Sequence, residues 1–61
     1  MNKEKRFVRE LASYVLSLHK DDEKVCEDVE ACLRMVRAGF VTDLEAARLI
    51  LVFEIDAKER A

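Results

Sequence analysis

The chain has no proline, one glycine, one histidine and no apolar run longer than residues 49–53. The scarcity of proline and glycine excludes the composition of a disordered or loop-rich chain, and with 51% hydrophobic residues there is enough apolar material for a folded one. A five-residue run is far short of the roughly 20 residues that span a bilayer. Met1 to Arg9 is charged, and no small-residue cleavage site follows an apolar core, so no signal peptide is expected and a cytoplasmic location is.

The shortage of histidine and cysteine limits the chemistry. Any acid–base or nucleophilic scheme near neutral pH would run through His19, with Cys26 across a turn, and would still need an orienting group and a concave pocket. Short helices offer little concavity, so no catalytic residue is assigned and an enzyme is not expected. His19 instead suits the last turn of a first helix, partly exposed, where its charged form favours the negative end of the helix dipole. Cys26 and Cys32, six residues apart on one helix, are about 9 Å apart along its axis and roughly 120° apart around it. Disulfide Cα atoms lie within about 7 Å, so these two cannot bridge each other. Two thiols and one imidazole are not a credible zinc set, and no metal or cofactor is expected. Both cysteines read as buried structural residues.

What the chain does contain is helical punctuation. Thr42-Asp43-Leu44-Glu45 reads as a capping box, and Gly39 suits the left-handed residue that closes a preceding helix. At 100° per residue the third helix has two apolar faces: Leu44, Ala47, Leu51 and Ile55 on one, Ala46, Leu49, Ile50, Phe53 and Ala57 on the other. A helix apolar on two sides is normally covered on both. A strand over residues 49–55 is the competing local reading, because a short apolar run does not separate strand from buried helix. The flanking Ala46-Ala47-Arg48 and Ala57-Lys58-Glu59-Arg60 are good helix formers, and Glu54–Lys58 and Asp56–Arg60 are acid-before-base pairs at helical spacing.

Upstream, Phe7, Val8, Leu11, Ala12, Tyr14, Val15 and Leu18 share one broad face, with Lys5, Arg6, Arg9, Ser13, Ser17 and Lys20 opposite and Leu16 outside the stripe. Asp21-Asp22-Glu23 marks a turn and the start of a second helix, whose stripe is Val25, Val29, Cys32, Leu33 and Val36. The expected architecture is all-α: one domain over residues 1–61, a compact three-helix up-down-up bundle with helices at about 3–20, 22–38 and 42–60. A domain of this length buries only about 60% of its unfolded surface, and small chains without disulfides or metals commonly make up the deficit by oligomerising. Homodimerisation through the third helix is therefore expected, with Leu49, Ile50, Phe53 and Ala57 as the self-interface.

A net charge of −2 gives no overall pull toward nucleic acid or membrane, but the charge is unevenly spread. Residues 1–20 hold five bases against two acids, residues 21–38 three against six, and residues 39–61 three against five. The leading functional reading is a non-enzymatic interaction protein: a regulator, adaptor or inhibitor of a larger protein, of the kind small phage and mobile-element chains supply by analogy. Glu23, Glu27 and Glu30 on the acidic second helix would face a basic protein partner. The alternative is a helix-turn-helix-like nucleic-acid binder using Lys3, Lys5, Arg6 and Arg9 on phosphates. Against it, the first turn of the third helix carries Asp43 and Glu45 where base-reading residues belong. A membrane-surface role for the basic first helix is weakened by Glu4 and Glu10.

Overall fold

The structure, a computed structural model, describes residues 3–60. Three helices follow in order: α1 (Lys3–Leu18), α2 (Glu23–Arg37) and α3 (Asp43–Arg60). There is no strand among the described residues, and residues 49–55 lie within α3.

The helix ends form where local chemistry satisfies their orphan backbone groups. Asp22 caps α2, its Oδ1 accepting from the Lys24 amide at 3.1 Å and the Val25 amide at 3.3 Å. The α2 C-terminus closes by a paired motif in which the Phe40 amide donates to the Met35 carbonyl at 2.9 Å and the Gly39 amide to the Val36 carbonyl at 3.0 Å. Gly39 has φ +83°, a conformation that a side chain would strain. Then the capping box forms in full: the Glu45 amide donates to Thr42 Oγ1 at 3.1 Å and the Thr42 amide to Glu45 Oε1 at 3.0 Å.

The direction of the chain follows from which ends meet. Lys5 and Arg9 line a hollow with Leu33, Val36 and Arg37, which makes α1 and α2 antiparallel. Glu4 lies with Thr42 to Leu44 at one end, and Leu18 and His19 with Ala57 and Arg60 at the other, so α1 and α3 run in the same direction. The up-down-up bundle measures 35 × 18 × 15 Å. Helix α3 packs on both partners, which meet each other over a smaller area.

Ten buried apolar residues form the core: Val8, Ala12 and Val15 from α1, Val25, Val29 and Cys32 from α2, and Ala46, Ala47, Ile50 and Ala57 from α3. Four of the ten are alanines, so the helices approach closely over small side chains, and Ile50 fills the centre. Leu16, outside the α1 stripe in the sequence pattern, packs against this core.

The faces of α3 need reassigning. Ile50 and Ala57, expected at a self-interface, are 0% and 2% exposed inside the single chain, and Leu49 and Phe53 are half-buried against the same core. The open apolar face is the other one, with Leu44, Leu51, Val52 and Ile55 in solvent. The helical period separates two faces but does not say which turns inward. Here the face with the small Ala46 and Ala57 beside Ile50 lets two neighbouring helices close in, while the Leu44–Leu51–Ile55 face is interrupted by the exposed Arg48.

Candidate interaction surface

Two helices present uncovered apolar side chains. On α1 these are Phe7, Tyr14 and Leu18, the outer edge of a stripe whose inner edge is Val8, Ala12 and Val15. On α3 they are Leu44, Leu51 and Ile55, with Val52 beside them. Both sets follow the alternating three- and four-residue spacing of a helix seam, 7-(11)-14-18 and 44-(48)-51-55, with half-buried Leu11 and exposed Arg48 between. Leu44 shares a hollow with Glu4 of α1, and Leu18 shares one with Ala57 and Arg60 of α3, so both sets border the α1–α3 junction at their ends. The six side chains therefore flank the outer groove between two parallel, packed helices. A separate exposed aromatic, Phe40, follows α2 and lines a hollow with Val41, Glu45, Arg48, Leu49 and Val52.

The charged candidates occupy other surfaces. Glu23, Glu27 and Glu30 are all exposed on α2, beside a Lys24–Asp28 ion pair of 3.1 Å. Lys3, Lys5, Arg6 and Arg9 are exposed along the first half of α1, where Arg6 and Glu10 are 3.5 Å apart. Glu45 in the first turn of α3 is engaged by the Thr42 amide.

Folding sorts these charges along the long axis, a feature the linear sequence obscures. The first half of α1, the second half of α2 and the first half of α3 share one end, where Lys and Arg outnumber Asp and Glu seven to four. At the opposite end acids outnumber bases eight to four, with Glu30 at the midpoint of α2. The bundle is a charge dipole, basic at one end and acidic at the other.

The acidic end holds an ion network that spacing did not reveal. His19, expected partly exposed in the last turn of the first helix, instead follows α1, its Nε2 3.2 Å from Oε2 of Glu54, and both side chains are largely buried. The helical wheel puts Glu54 on no apolar face, and the sequence pairs it only with Lys58, whose Nζ is 3.8 Å away. Arg60 reaches Asp22 at 2.7 Å and also pairs with Asp56, tying the last turn of α3 to the N-cap of α2. The Val25 amide, and then Arg60, hold the Asp22 carboxyl below its ordinary value against a desolvation that works the other way. Desolvation raises the Cys26 thiol, as do the charges of Glu30, Asp22 and Asp21, and burial raises Cys32. Both thiols are free; Cys26 Sγ faces the His19 carbonyl at 3.4 Å and Cys32 Sγ the Ala46 carbonyl at 3.7 Å.

Among the described residues no three His, Cys, Asp or Glu side chains gather into a metal-holding group, and no helix is long and apolar enough to cross a membrane. Comparison of the chain with protein-family models, curated proteins and solved structures gives no match.

Proposed function

We propose that the chain is a small non-enzymatic helical interaction protein that works by protein–protein binding, as a regulator, adaptor or inhibitor of a larger protein, and that self-associates. One observation carries this reading: Phe7, Tyr14, Leu18, Leu44, Leu51 and Ile55 leave an apolar seam on two adjacent helices that nothing among the described residues covers. Contiguous exposed apolar surface of this kind marks an interaction site. The exposed acidic row Glu23, Glu27 and Glu30 lies on α2, away from the seam, and is the surface offered to a basic protein partner.

The test is to compare the wild-type protein with Leu51→Glu and with a Glu23→Lys/Glu27→Lys/Glu30→Lys variant, by light scattering and by pull-down of basic proteins. The reading expects self-association to be lost in the first and capture of a specific basic protein in the second. A wild-type chain that is monomeric and captures no protein that either variant loses would refute it.

Nucleic-acid binding through Lys3, Lys5, Arg6 and Arg9 is favoured by one observation, the gathering of seven bases at one end of the bundle. Retention on heparin that vanishes at modest salt, and is lost in Lys3→Gln/Arg6→Gln/Arg9→Gln, would support that reading instead.

A further inference from the structure

We infer that the occupant of the α1–α3 groove is a second copy of this chain, seated antiparallel about a two-fold axis near Leu51 so that the basic end of each copy meets the acidic end of the other. This deepens the self-association proposed above and rests on that reading. Three observations carry it.

The first is shape. Each copy offers two parallel helices with seams at the alternating spacing that lets apolar side chains of facing helices interleave. Two such pairs face to face form a four-helix arrangement packed around their apolar seams. A two-fold interface buries the same patch on both copies, so one seam serves both sides.

The second is area. The six seam side chains are each between 45% and 61% exposed. At about 100 Å² apiece they offer roughly 600 Å² per copy and about 1,200 Å² over both when fully covered, the lower edge of a stable interface.

The third is charge. In a parallel pairing, basic would face basic and acidic face acidic along the whole axis. The antiparallel pairing sets the seven-to-four basic end of one copy against the four-to-eight acidic end of the other, and like-charge juxtaposition is what excludes wrong arrangements.

The experiment uses the full chain carrying Cys26→Ser, with Leu44→Cys in one preparation and Ile55→Cys in another carrying a size tag. After copper-phenanthroline oxidation the mixture is expected to give the mixed disulfide, while Leu44→Cys alone gives little self-linked product. Light scattering should return twice the 7.1 kDa chain mass, falling to 7.1 kDa in Tyr14→Glu and in Leu51→Glu with helical circular dichroism retained. Efficient self-linking of Leu44→Cys would overturn the antiparallel arrangement while leaving self-association in place. A wild-type mass of 7.1 kDa throughout the concentration series would overturn the second copy as occupant, leaving the protein-binding reading to be judged by its own pull-down.

Discussion

His19 Nε2 and Glu54 Oε2 lie 3.2 Å apart, joining the turn after α1 to the second half of α3 across 35 residues of sequence. Glu54 is the one charged residue among the buried side chains described, and a buried carboxylate is costly unless paired and hydrogen-bonded. His19 is its nearest partner and Lys58 its second, so the imidazole serves the fold, packing the end of α1 onto α3.

Removing His19 should therefore cost more than an ordinary surface change. His19→Ala is expected to destabilise by about 1–3 kcal/mol in urea unfolding, because Glu54 loses its closest partner without leaving the core. Glu54→Gln should cost less, since an amide still meets the ring. In a double-mutant cycle the two changes should be coupled; additivity within about 0.5 kcal/mol would show that the pair contributes nothing.

The boundary between α2 and α3 offers two local tests. Thr42→Ala breaks the capping box and should cost about 1 kcal/mol. Gly39→Ala should cost about 1 kcal/mol for a different reason, since nothing lies within 4 Å of an added Cβ and only the φ of +83° opposes it. Either variant matching the wild-type denaturation midpoint would contradict the corresponding local structure.

Acid should unfold the bundle partly through Asp22. Its folded carboxyl is depressed, first by the Val25 amide and then by Arg60, so its contribution is present above the unfolded value, near 3.8, and is lost as pH falls through the lower folded value. Asp22→Ala should be less stable at pH 6 and show a shallower loss of stability between pH 4 and pH 2. Arg60→Gln should remove a smaller part of the same dependence. An unchanged acid limb in Asp22→Ala would sink the assignment.

The two thiols should react differently. Cys26 is half-buried, and desolvation with Glu30, Asp22 and Asp21 nearby raises its thiol, so alkylation at pH 8 should be slower than for a free cysteine and faster in Glu30→Gln. Cys32 is 0% exposed and should be alkylated only as the chain unfolds. Equal rates at the two positions would mean that α2 does not pack on α3 as described.

The sequence by itself determined what is local. Helix identity, both caps around residues 39–45, the Asp22 start of α2 and the existence of two apolar faces on α3 all follow from interactions within a few residues of one another, which spacing encodes directly. Only the tertiary structure decided which α3 face turns inward, because burying Ile50 between Ala46 and Ala57 depends on how closely two other helices approach. For the same reason Leu49, Ile50, Phe53 and Ala57 join the core while Leu44, Leu51 and Ile55 stay open. The His19–Glu54 pair and the charge polarity also belong to the tertiary level, since each depends on residues that the direction of the helices, and not their order in the chain, brings to one end.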